Sequence, residues 1–265
     1  MHDRNNCRNY FIDTHAHLTD KKFDSDRENV LKRAKNCDVR KIFCVLSDFT
    51  ERDIKIFEEI LKDEDVFGIA GVHPHEAKSF KETENKLKRI LENKKIVALG
   101  EIGLDFYYMN SPQDIQVKVF QKQLDFAVKR NLPVVLHIRN AYSQAKEILK
   151  KCGGKFLLHS FSGDFSDIEF FQKRNFYFSF SGILTFKNAG NLREIAKEIP
   201  LGRVLFETDC PYLAPQKYRG KRNEPAFVKE VYRTFAEIKG MEIEELKKTV
   251  LKNTENFFNL KFASG

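Results

Sequence analysis

The chain has 265 residues, 42% hydrophobic and 32% charged, with 46 lysines and arginines against 38 acidic residues, a formal net charge of +8. This content excludes an unstructured chain, and no window approaches the roughly 18 uninterrupted apolar residues of a membrane-spanning helix. Positive charge favours an anionic partner, although the basic runs at 86–95 and 247–252 read as solvated helix faces.

Short apolar runs follow one another at 10–13, 41–46, 66–72, 95–99, 133–137, 155–159, 176–180 and 203–207. Each has the length of a strand buried on both faces of a parallel sheet. Between them lie amphipathic stretches at 25–36, 51–62, 82–93, 112–130, 141–151, 165–173 and 189–199, long enough for the crossovers that parallel strands need. Ser111 and Pro112 are expected to open the longest of these, and helices after Glu224 to close the ring. Eight strand-helix units without a linker or repeat predict a single (β/α)8 TIM-type barrel over residues 1–265. An open doubly wound sheet is the alternative.

Cys7, Cys37, Cys44, Cys152 and Cys210 are scattered and form no Cys-x-x-Cys pair, which argues for reduced thiols rather than a disulfide framework or zinc finger. The polar first nine residues resemble neither a secretory signal nor a transit peptide, so a cytoplasmic location is expected.

In such a barrel the functional site forms at the carboxyl ends of the strands, and there the polar residues concentrate. His15 and His17 follow the first run, where alternate residues of an extended segment face the same way. The third run ends at His73-Pro74-His75, the fourth at Glu101, the fifth at His137, the sixth at His159 and the eighth at Asp209. Of the seven histidines only His2 lies away from a strand end. Imidazoles and carboxylates converging on one rim are the ligand chemistry of a divalent cation that keeps positions open for water and substrate. Glu101, between Gly100 and Ile102-Gly103, is placed to bridge two ions about 3.5–4 Å apart, and Asp209 to take a proton from water. The alternative for Asp209 is a cap on the turn before Pro211.

After Asp209 come Tyr212 and then Lys217, Arg219, Lys221 and Arg222, a basic loop with an aromatic neighbour that suits phosphates and a stacked base. Arg139 and Lys187 are weaker phosphate candidates.

Several motifs in order carry a resemblance: Asp13-Thr14-His15-Ala16-His17, Gly71-Val72-His73-Pro74-His75, Gly100 to Asp105, Pro133 to His137, Thr208-Asp209 and Arg219-Gly220-Lys221-Arg222-Asn223-Glu224-Pro225. Together they resemble the TatD family of metal-dependent deoxyribonucleases within the amidohydrolase-like barrel hydrolases. The resemblance implies metal contacts from His15, His17, Glu101, His137, His159 and Asp209, with His73 on the substrate side. It also implies two divalent ions, magnesium in activity with zinc or manganese as alternatives, and hydrolysis of single-stranded DNA from the 3′ end. No membrane and no obligate protein partner are expected. Ser160 stands where the family commonly has cysteine, and Lys217 where proline is frequent, so the fine substrate preference is left open. Two other functions fit the same residues: a barrel hydrolase of a small amide, lactone or ester, and a nucleic-acid-binding protein whose metal is structural.

Overall fold

Runs of valine, isoleucine, leucine and phenylalanine that would be insoluble on a two-faced exposed sheet become stable when helices cover one face and the barrel interior the other. The computed structural model describes residues 9–262. Its strands are β1 (Phe11–Ala16), β2 (Val39–Leu46), β3 (Val66–Ala70), β4 (Ile96–Asp105), β5 (Val134–Arg139), β6 (Phe156–Leu158), β7 (Tyr177–Phe180) and β8 (Val204–Phe206). They form one sheet in chain order, each pairing in parallel with the next. The helices are α1 (Arg27–Asn36), α2 (Glu51–Ile60), α3 (Phe80–Ile90), α4 (Gln113–Arg130), α5 (Tyr142–Leu149), α6 (Phe165–Gln172), α7 (Gly190–Glu198), α8 (Val228–Lys239) and α9 (Ile243–Phe258).

β1 and β8 close the ring through an irregular seam. Thr14 Oγ1 donates to the Phe206 carbonyl at 2.9 Å, and Asp13 accepts the Thr208 N–H at 2.9 Å and the Thr208 hydroxyl at 2.6 Å. Further along, Asp209 N–H donates to the His15 carbonyl at 2.9 Å and His17 N–H to the Cys210 carbonyl at 2.8 Å. The architecture is a TIM-type barrel, as the count of eight runs predicts.

Two strands run further than their apolar stretches. β1 continues through His15, and β4 continues past Leu99 to Asp105, so Glu101 lies inside a strand rather than beyond one. Gly100 and Gly103 make this possible. A Cβ on Gly100 would stand 2.7 Å from Val135 Cβ, and one on Gly103, at φ +148°, would stand 1.9 Å from the His137 carbonyl oxygen. α3 begins at Phe80, after a 3-10 turn over Pro74–Ser79.

α4 supports the site from outside. Gln123 pairs with both the N–H and the carbonyl of Val72, and Gln116 accepts from the Asp105 N–H at 2.8 Å. Ser111, expected as a cap, instead donates to the His75 carbonyl at 2.7 Å.

No helix among the described residues is long and apolar enough to cross a membrane. Cys37, Cys44, Cys152 and Cys210 are free, while His2 and Cys7 lie outside the described residues.

Candidate active site

Glu101, 3% exposed, stands at the centre of the rim with its two carboxylate oxygens facing two sets of donors. Oε2 lies 3.3 Å from His15 Nε2 and 3.6 Å from His17 Nε2. Asp209 Oδ1 joins this side, 3.2 Å from His17 Nε2 and 3.8 Å from His15 Nε2, and the two imidazole nitrogens are 3.2 Å apart. Oε1 lies 2.7 Å from His137 Nδ1, 3.1 Å from His159 Nε2 and 3.6 Å from His73 Nε2. His73, expected on the substrate side, thus reaches the second set of donors.

Each group is aimed by its local backbone. His15 and His17 alternate from the end of β1, while Asp209 sits at φ 56°, held by its N–H to His15 and by the Tyr212 N–H donating to its carbonyl. Behind the donors lie carboxylates that orient histidines. Asp105 Oδ2 is 2.8 Å from His75 Nε2 and 3.1 Å from His137 Nε2. Fully buried Glu207 places Oε1 2.7 Å from His159 Nδ1, a close charge contact that lacks the alignment of a hydrogen bond.

Charge in this cluster is unbalanced. Burial opposes ionisation of Glu101, yet His159, His73, His137 and His15 hold its carboxyl well below the usual range, and Asp209 is likewise lowered by His17 and its neighbours against its burial. Burial disfavours the charged form of His159, but Glu207 and Glu101 outweigh it and raise its pKa well above the ordinary histidine value. His17 and His137 are also raised against their burial, by Asp209 and by Asp105 with Glu101 respectively. His73 is pushed down to about 4 by burial and by His137, and His15 is lowered by burial and His159. Burial drives the Asp13 carboxyl up to about 8 in spite of its bonds to Thr208.

The donor set fits a divalent cation. Ligand atoms come within 4.8 Å of one another in three groups: His15 with His159 and Asp209, His15 with His17 and Glu101, and His73 with Glu101 and His137. Four donors around an ion at 2.0–2.2 Å stand about 3.3–3.6 Å apart, close to the spacing around Glu101 Oε2. A cation also supplies the positive charge that buried carboxylates otherwise draw from protonated histidines.

These groups form the floor of a cleft of about 680 Å³, whose wall includes Lys21, Arg52, Tyr108, Arg139 and Tyr212. Arg52 is engaged by Asp24 and Asp53. Tyr212 donates its hydroxyl to Asp20 at 2.8 Å and stands beside His17, ring centroids 6.2 Å apart. Of the basic loop, Arg219, Lys221 and Arg222 do not line this cleft. Arg222 pairs with Asp26 at 2.7 and 2.8 Å and lies over Phe23, while the Arg219 guanidinium lies 4.3 Å from the Phe186 ring centroid. Lys217 pairs with Glu230, and Lys187 lies away from the cleft lining. The sequence reading missed Lys21, Arg52, Tyr108, Asp105 and Glu207. Asp105 ends the motif that holds Glu101, and Glu207 stands two residues before Asp209, a signal the sequence carries.

A family model for TatD related DNase matches residues 12–259. The chain belongs to the TatD family. It is 40% identical to the uncharacterized metal-dependent hydrolase YabD of Bacillus subtilis, over 94% of this chain and 99% of the relative. It is 32% identical to a protein of Erwinia tasmaniensis named 3′-5′ ssDNA/RNA exonuclease TatD, over 94% of this chain and 100% of that protein. Among solved structures, the YJJV TatD homolog of Escherichia coli superposes with a TM-score of 0.86 at 27% identity, covering 95% of this chain and 98% of that one. This TatD chain is accordingly a metal-dependent hydrolase, with its candidate ligands on the rim just described.

Proposed function

We propose that this TatD-family hydrolase is a deoxyribonuclease that shortens single-stranded DNA from its 3′ end. The observation that carries the reading is Glu101, whose two oxygens face separate donor sets beneath a cleft walled by basic and aromatic side chains. The name of the Erwinia tasmaniensis relative supports the same substrate class and polarity.

In this reading His15, His17 and Asp209 would hold one divalent ion, His137, His159 and His73 would hold a second, and Glu101 would be shared between them. The chemistry available with magnesium, manganese or zinc bound there is Lewis-acid stabilisation of phosphoryl charge and a lowered pKa for water. Arg139 and Lys21 hold phosphate from the wall, and Tyr212 presents a ring beside His17. Asp209 accepts the proton of the water that attacks phosphorus, the P–O bond to the neighbouring nucleotide breaks, and a solvent proton completes the leaving hydroxyl. Asp105 and Glu207 keep His137 and His159 in orientation throughout.

The test follows end-labelled single-stranded DNA with magnesium or manganese, beside a chelated sample and Asp209→Asn. Stepwise loss from the 3′ end, abolished by chelation and by the substitution, supports the reading. Intact DNA with metal demonstrably bound overturns it and favours a small-ester or lactone substrate.

A further inference from the structure

Tyr107 and Tyr108 are 57% and 54% exposed on the loop after β4, an unusual position for two adjacent large rings unless something covers them in use. Their rings meet edge to face, centroids 4.9 Å apart, and the Arg139 guanidinium lies 4.3 Å from one centroid and 4.6 Å from the other. Arg139 makes no ion pair among the described residues, so its N–H donors remain available beside the rings. Tyr108 and Arg139 both line the cleft.

The loop is fixed relative to the candidate ligands. Asp105 Oδ1 accepts the N–H groups of Tyr107 and Tyr108, each at 2.9 Å, while its Oδ2 faces His75 and His137. Tyr108 also packs edge-on against His75, which packs against His73 in turn, so two ring contacts separate the platform from the donor cluster. Tyr212 stands on the opposite flank, beside His17.

We infer that Tyr108, with Tyr107 and Arg139, forms a subsite for the nucleotide next to the scissile bond, stacking its base on Tyr108 and pairing its phosphate with Arg139. This inference rests on the nuclease reading for its substrate class. An exposed aromatic face with an unpaired guanidinium suits single-stranded nucleic acid, because every base offers a π-face whereas a duplex hides it. Recognition of this kind is tolerant of sequence and demands a base at the position.

The inference is tested by fluorescence anisotropy of a 5′-labelled oligothymidylate in chelator, so that binding is read without turnover. It is compared with the same strand made abasic at its penultimate 3′ nucleotide, and with cleavage of both strands in magnesium. Tyr108→Ala should weaken binding of the complete strand about tenfold and leave the abasic strand unaffected, with Tyr108→Phe restoring the difference. Equal losses on both strands, or none on either, overturn the subsite. Binding that shows the expected pattern without cleavage overturns the nuclease reading and leaves the subsite standing. Absence of binding in chelator together with absence of cleavage in magnesium overturns both, and cleavage that Tyr108→Ala slows equally on the two strands overturns the subsite alone.

Discussion

The Asp13 side chain accepts the Thr208 hydroxyl at 2.6 Å and the Thr208 N–H at 2.9 Å, so a buried group joins the first strand to the segment after the eighth. Thr208→Val removes one of these bonds and leaves a buried carboxyl group short of a partner. A loss of about 1–3 kcal/mol is expected, read as a lower urea midpoint with an unchanged slope. Activity should fall further than stability alone explains, because His15 and Asp209 bond to each other across the same seam.

Gly103 admits no side chain, since its Cβ would overlap the His137 carbonyl at a φ that L-residues rarely adopt. Gly103→Ala should cost about 3 kcal/mol or more. Gly153→Ala is the control, because nothing stands within 4 Å of a Cβ there. Similar melting temperatures for the two variants would show that β4 relaxes freely.

Asp105 touches both His137 and His75, and these contacts together with the Tyr108 N–H hold its carboxyl well below the usual carboxylate range despite partial burial. Asp105→Asn should therefore weaken divalent-metal affinity by about 10–100-fold with the circular dichroism spectrum intact. Titration calorimetry of the metal-free protein measures this directly.

Asp26 is held below the usual carboxylate range by Arg222 first and then by Arg33. A depressed folded-state pKa contributes stability above the unfolded value, about 3.9, and that contribution disappears as pH falls through the folded value. Between about pH 5 and pH 3 the melting temperature of the wild type should drop more than that of Asp26→Asn. Arg222→Ala should reduce the same pH dependence while leaving KM for DNA unchanged, because Arg222 does not line the cleft.

Salt dependence distinguishes the cleft from the basic loop. With Lys21 and Arg139 as the wall cations that pair with no carboxylate among the described residues, two phosphate contacts predict a slope of about −1.4 in log K against log salt for a single strand. A slope steeper than about −3 would mean that Arg219 and Lys221 also bind the strand.

The barrel is legible because buried parallel strands advertise themselves as apolar runs, and the cluster of candidate ligands because His15, His17, His137, His159 and Asp209 stand where those runs give way. Glu101 is legible as a ligand candidate, but the apolar run of its strand ends at Leu99, because glycines and a carboxylate break an apolar pattern even where the backbone ladder continues. The partners of the basic loop are illegible for a different reason. Arg222 bonds to Asp26, 196 positions away, and no local pattern records which distant acid will claim a given arginine. Tyr108 was passed over because one exposed ring in a loop has no periodicity to report it.

The seam also sets a date for the site during synthesis. His15 and His17 emerge early from the ribosome, but the carboxylate that completes their group belongs to residue 209, and the backbone bonds that aim all three join β1 to the segment after β8. A nascent chain therefore carries two of its imidazoles through most of translation with no finished cage for them. The candidate rim therefore takes shape only when the last strand docks against the first.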